Sequence, residues 1–238
     1  MAGGIAAGFI NTLAGGGSFL TVPLLIFLGL PATVANATNR VGVFVQSATA
    51  VAGFRQEGIS ESALGVRLLP ATLAGSWIGA WAAASIPDAV FARVFGVAML
   101  AMLPVLLWNP RPRADGARRR IPRIAEVGLY GALGFYGGAV QAGIGIPLVL
   151  ALVTLSGLDL VRAASARVFL TLALTAVALG QFLWAGKVDW LYGIVLALGT
   201  GSGGYLAARL GARVGPRLIR PLLAAAVIVA SLRLLAYG

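Results

Sequence analysis

The sequence predicts an all-α polytopic membrane protein. Three observations carry this: a composition too apolar for water, several long uncharged runs, and glycine-rich interruptions set inside apolar sequence. Of the 238 residues, 59% are hydrophobic and only 11% charged. A soluble domain of this size needs more charge than that to cover its surface. Val90 to Leu107 carries the single charge Arg93, Val168 to Ala185 carries none, and Pro221 to Leu235 carries only Arg233. A run of roughly 18 or more apolar residues spans the hydrocarbon of a bilayer. The 33 glycines would weaken helices in water. In lipid, small residues let helix backbones approach closely, so they favour a tight bundle.

Charge and residue usage narrow the chemistry. The net charge is +11, and neither Cys nor His is present. Thiol redox chemistry, disulfides, the usual zinc sites and imidazole proton relays are therefore absent, and no metal or other cofactor is expected. On a soluble protein such a positive excess would suggest nucleic acid. Here the arginines fall in short loops, where they hold those loops in the cytoplasm, and no nucleic-acid partner is expected. The N-terminal MAGGIAAGF lacks a basic flank and reads as the first membrane segment, not as a cleavable signal.

The chain is written twice. Adding 128 takes Ala14, Gly15 and Gly17 to Ala142, Gly143 and Gly145. The same step relates Leu20 to Leu148, Gly29-Leu30 to Gly157-Leu158, Gly58 to Gly186, Gly65 to Gly193 and Gly75 to Gly203. The expected organisation is a first transmembrane repeat over 1–107, a basic cytoplasmic linker over 108–123 and a second repeat over 124–238. Each repeat opens with a Gly-broken segment, Ala2 to Leu30 or Ala125 to Leu158. A polar-flecked helix follows, Ala35 to Phe54 or Ala163 to Ala185. Two helices close each repeat, Ala63 to Ser85 with Ala89 to Leu107, and Trp190 to Leu210 with Arg217 to Leu235. About eight transmembrane helices result if each broken segment crosses once.

Loop charges suggest how the repeats are oriented. The linker carries Arg111, Arg113, Arg118, Arg119, Arg120 and Arg123 against Asp115, and the loop Arg209 to Arg220 holds more arginine. Both should be cytoplasmic, whereas the neutral stretch Ile86 to Arg93 fits the outside. Two cytoplasmic ends require an even number of crossings between them. The segment Ala125 to Leu158 should therefore enter and leave on one side, as a re-entrant hairpin or two short helices. The repeats would then be inverted, an arrangement common in secondary transporters.

The glycine breaks are the foremost candidate site. Gly15, Gly16, Gly17 and Ser18 form the first, and Gln141, Gly143 and Gly145 belong to the second. Backbone that leaves the helix at membrane depth must be buried or face water. A fresh helix follows each break, and its N-terminus offers free N–H groups and a positive dipole end to an anion. Close helix crossing would equally account for the glycines. Asn11 precedes the first break as Gln141 opens the second. The polar starts of the following helices add Asn36, Asn39 and Arg40, and Arg167. An arginine near membrane depth needs a partner or a task, and neither of these has a carboxylate within four residues. An oxyanion would serve, and snorkelling to headgroups is the alternative. Gln46 and Gln181 read as helix cement, and the Gly199 to Gly204 run as a packing surface. The acids, Glu57, Glu61, Asp88, Asp115, Glu126, Asp159 and Asp189, all fall at expected loops or helix ends. A cation pump, a metal carrier or a membrane enzyme is disfavoured accordingly.

These residues resemble a known family. GFINTLAGGGSFLTVPLLIFLGLPATVANATN (8 to 39), its echo GFYGGAVQAGIGIPLVLALVTLSGLDLVRAASAR (134 to 167) and Gly-Lys-Val-Asp-Trp (186 to 190) are similar to the TauE/SafE family of sulfite and organosulfonate exporters. The first repeat is slightly shorter than usual between Gly8 and the glycines, and Ala166 stands where a Thr is usual. The resemblance implies a multi-pass protein of the bacterial or archaeal cell (inner) membrane. It also implies a small anionic substrate such as sulfite, sulfoacetate or a related sulfonate. The expected function is secondary transport, in the direction of export, by alternating access; an anion channel and a non-transporting scaffold or assembly factor are the alternatives. The expected partners are that anion, the lipid bilayer and, as an open alternative, a second copy of the chain in a homodimer.

Overall fold

A computed structural model describes residues 2–107, 121–210 and 219–237. Among the described residues there are ten helices and no strands. They are α1 (Ala2–Ala14), α2 (Ser18–Phe27), α3 (Ala32–Gln56), α4 (Ser62–Ser85) and α5 (Asp88–Leu107). The second set is α6 (Arg123–Ala139), α7 (Gly145–Ser156), α8 (Leu160–Trp184), α9 (Trp190–Leu210) and α10 (Ile219–Tyr237). Each broken segment is thus two short helices, α1 with α2 and α6 with α7. The body of the linker, 108–120, and most of the basic loop, 211–218, lie outside the described residues.

Among the described residues three helices, over Asp88–Leu106, Leu160–Trp184 and Trp190–Arg209, are long and apolar enough to cross a bilayer by length and composition. The outer faces of α4 and α9 expose Trp77, Ile78, Trp81, Leu191, Ile194 and Leu198. Such a girdle has no place in water and suits acyl chains. The chain is therefore an all-α polytopic membrane protein.

Small residues set the packing. A Cβ on Gly75 would lie 2.0 Å from the Gly131 carbonyl oxygen, and one on Gly134 would lie 2.1 Å from that of Thr72. The same crossing recurs between α9 and α1. A Cβ on Gly203 would lie 2.1 Å from the Ile5 oxygen, and one on Gly8 would lie 2.2 Å from that of Thr200. Adding 128 to Thr72 and Gly75 gives Thr200 and Gly203. One helix–helix contact is therefore used twice, with the halves exchanging partners: α4 of the first half grips α6, and α9 of the second grips α1. The run Gly199 to Gly204 acts as a packing surface, meeting Gly4, Val45, Ile5 and Gln46.

Polar contacts at the helix ends define two opposite ends of the bundle. At one, Arg67 of α4 pairs with Glu126 of α6, Arg162 of α8 lies 3.8 Å from Glu61, and Arg209 of α9 lies 3.4 Å from Glu57. At the other, Asp88 of α5 accepts from the Thr33 hydroxyl and backbone N–H at 2.5 and 3.0 Å, and Lys187 Nζ donates to Thr33 at 3.3 Å. The segment α6–α7 thus begins and ends at the arginine-rich end. The segment α1–α2 runs the other way. Its α1 advances along α9 in the same sense, from Gly4 beside Gly199 to Phe9 beside Gly203, and α2 returns to the Thr33 end. Each broken segment dips into the bundle and comes back.

Candidate functional site

The two breaks meet. A Cβ on Gly15 would lie 2.6 Å from the Gly145 Cα, and one on Gly145 would lie 2.5 Å from the Gly15 Cα and from Arg167 Nη1. Gly15 has φ +74 and Gly143 φ +73, so both turns use backbone that favours glycine. Gln141 adopts φ +63 without being glycine, an uncommon conformation tolerated where surroundings hold it. Gly143 packs against the Phe19 ring, with the position of a Cβ only 2.1 Å from its Cζ. The helix starts at Ser18 and Gly145 are thereby brought to one place.

Every candidate residue read from the sequence lies in this buried centre. Asn11, Ser18, Asn36, Asn39, Arg40, Gln141 and Arg167 are all buried, as are Gly15, Gly16, Gly17, Gly143 and Gly145. Asn11 Oδ1 accepts from the Gly17 N–H at 3.1 Å and so caps α2, while its Nδ2 donates to Gln46 Oε1 at 2.6 Å. Asn39 receives the Thr21 hydroxyl at 2.5 Å and donates to Ser18 Oγ at 3.1 Å. Asn36 donates to the Ala139 oxygen at 2.9 Å. Gln141 donates to Thr175 Oγ1 at 2.7 Å.

The arginines do not reach for headgroups. Arg40 is 0% exposed and Arg167 2%, which excludes a snorkelling end in this conformation. Arg40 donates to the oxygens of Gly137, Gly138 and Ala139 at 3.0, 2.5 and 3.3 Å. It also stacks over the Phe182 ring at 4.9 Å. Arg167 donates to the Asn11 oxygen at 3.0 Å and to the Thr12 oxygen. These carbonyls close α6 and α1, and a helix C-terminus carries unpaired oxygens and partial negative charge. Each arginine therefore caps the broken helix of the opposite half.

The centre retains unsatisfied polar atoms. Asn36 Oδ1, Gln141 Oε1, Arg40 Nε and Arg167 Nε are buried without a hydrogen-bond partner. Such groups are costly in a bundle core unless something else meets them. Among the described residues no acidic side chain lies here: all those described sit at the two ends. No group of three potential metal ligands occurs among them either. The centre thus combines two helix N-termini with two guanidinium groups and no carboxylate.

Several contributors were not singled out in the sequence. Thr12 accepts from Gln46 Nε2 at 2.8 Å, and Thr175 pairs with Gln141. Adding 129 takes Thr12 to Gln141 and Gln46 to Thr175. The pair is kept with its members exchanged, so a search for identical residues passes over it and a search for complementary pairs would find it. Thr21 and Phe182 left no comparable trace.

This architecture, two like halves with interrupted helices meeting at a buried polar centre, defines a class, the polytopic membrane transporters. The chain belongs to the TauE/SafE family: the family model described as sulfite exporter TauE/SafE matches residues 1–234. It is 29% identical over 233 residues to a probable membrane transporter protein, ORF9, of a Sinorhizobium species, covering 97% of this chain and 88% of the relative. It is 30% identical over 235 residues to the probable membrane transporter protein YfcA of Escherichia coli K12, covering 96% and 86%. A probable membrane transporter protein of Haemophilus influenzae is 29% identical over 225 residues, covering 92% and 86%. No solved structure matches. The protein is a membrane transporter and not an enzyme.

Proposed function

We propose that the protein is a secondary transporter of small sulfur oxyanions, sulfite or an organosulfonate, in the direction of export. The observation that carries the reading is the positive, carboxylate-free centre formed where the two breaks meet. First-turn N–H groups of α2 and α7 would hold oxyanion oxygens. Asn11, Ser18, Asn36, Asn39 and Gln141 would add hydrogen bonds, and Arg40 and Arg167 would supply charge. The family description names a sulfite exporter, which supports the sulfur chemistry. The repeats, over 1–107 and 124–238, would rock about this centre to expose it alternately. The arginine-rich end, with the linker, would face the cytoplasm of a bacterial or archaeal cell.

The test is flux in proteoliposomes loaded in parallel with sulfite, sulfoacetate, taurine and sulfate. Saturable movement of one sulfur oxyanion, weakened in Arg167→Ala while the protein stays folded, is the expected result. Unsaturable flux would indicate a channel. No flux of any of these anions would overturn the reading.

A further inference from the structure

We propose that the side chains of Arg40 and Arg167 act as built-in cations. They occupy the carbonyl cages that a sodium-coupled carrier leaves open for its ion, so that this transporter works without sodium. The inference rests on the transport reading above, but not on which anion moves.

The argument starts from a broken helix in a bilayer. Its C-terminal carbonyls are unpaired and its dipole end is negative, and no water is at hand to satisfy them. Transporters with discontinuous helices commonly place a coupling cation against such carbonyls and half-helix ends. Here both ends are already occupied. Three carbonyls of α6, from Gly137 to Ala139, surround the Arg40 guanidinium. Two of α1, Asn11 and Thr12, hold that of Arg167, the Asn11 oxygen accepting from the Gly15 N–H at 2.8 Å as well.

The arrangement is reciprocal. Adding 127 to Arg40 gives Arg167, and each meets carbonyls in the last turn of a broken helix. Each guanidinium crosses from a continuous helix of one half to the broken helix of the other. A planar guanidinium fits two adjacent carbonyls through separate nitrogens, as both do here. A free sodium ion would have to displace it. Neither cage contains a carboxylate to hold both cations. The charge that offsets the moving anion is thus carried permanently by the chain. The two residues position the breaks through these carbonyls, in addition to any contact with the substrate.

The test uses the purified full-length protein in detergent and reads thermal unfolding, which needs no substrate. Wild type is compared at constant ionic strength in sodium, potassium and choline chloride, and with low millimolar guanidinium. No cation-specific shift is expected. Arg167→Ala and Arg40→Ala empty one cage each. Guanidinium should then stabilise each variant, with a saturating rise of roughly 2–4 °C once it is several-fold above its Kd. Sodium-specific stabilisation of wild type would overturn the proposal, as would folded variants indifferent to every cation. If the alanine variants do not fold, Arg→Lys and Arg→Met at each position replace them. Lysine should recover a monodisperse protein where methionine does not, and equal recovery or equal failure would count against a cation role. A separate flux measurement keeps the two readings apart. Loss of all sulfur-anion flux in wild type would sink the substrate, whereas flux demanding sodium would sink the built-in cation.

Discussion

The contact between Gly15 and Gly145 joins the two breaks, and its cost can be worked out. Gly15→Ala introduces a Cβ 2.6 Å from the Gly145 Cα, 2.7 Å from its carbonyl carbon and 2.9 Å from the Ile146 nitrogen. Carbon atoms pack best at about 3.5–4.0 Å, so one break must retreat from the other by roughly 1 Å. The obstacles are backbone atoms, which cannot rotate away. Overpacking of this kind costs about 1–3 kcal/mol. The position also has φ +74, which adds roughly 1–2 kcal/mol for a residue with a Cβ. The expected loss is about 2–5 kcal/mol, the sum of these two terms. Gly58 provides the matched control: its φ is +72, and nothing lies within 4 Å of its added Cβ. Gly58→Ala should lose only the conformational part, about 1–2 kcal/mol. Thermal unfolding of both variants in one detergent compares them directly. If Gly15→Ala is no less stable than Gly58→Ala, the breaks do not touch and the central site as described is wrong. Anion flux should fall further in Gly15→Ala than in Gly58→Ala, because only the former separates the half-sites.

Two further expectations follow from the polar framework. Gln46 bonds the side chains of both Asn11 and Thr12, so Gln46→Ala should cost about 1–3 kcal/mol by stranding buried partners; an unfolding temperature equal to wild type would remove its role as a tie between α3 and α1. The natural absence of cysteine permits a topology test: Ser60→Cys, at the Glu57–Glu61 end, and Ala185→Cys, at the Lys187 end, should react with an impermeant maleimide from opposite faces of the membrane. Labelling of both from one face would contradict the opposed dips of α1–α2 and α6–α7.

Much of the architecture was legible in the residues because membrane helices have a strong local signal. Apolar length and interrupting polar residues bound a span almost regardless of context. Thus α3 runs Ala32–Gln56 and α8 Leu160–Trp184, close to the expected Ala35 to Phe54 and Ala163 to Ala185. The glycine breaks were visible for the same reason, since helix interruption in apolar sequence is rare without a purpose. The partners of buried polar groups were not legible. A guanidinium can be neutralised by a carboxylate, an anion, a headgroup or a carbonyl, and nothing near Arg40 in the chain distinguishes them. The carbonyls it meets are 97 to 99 residues away. Only the exchange of helices between the halves brings α6 to Arg40 and α1 to Arg167. The sequence by itself determined the membrane class, and composition and spacing along the chain also pointed to the duplication and to part of the polar set in the centre. The tertiary structure alone decided that the breaks abut and that each arginine caps the opposite half, because those contacts depend on how two like units, dipping from opposite ends, interlock.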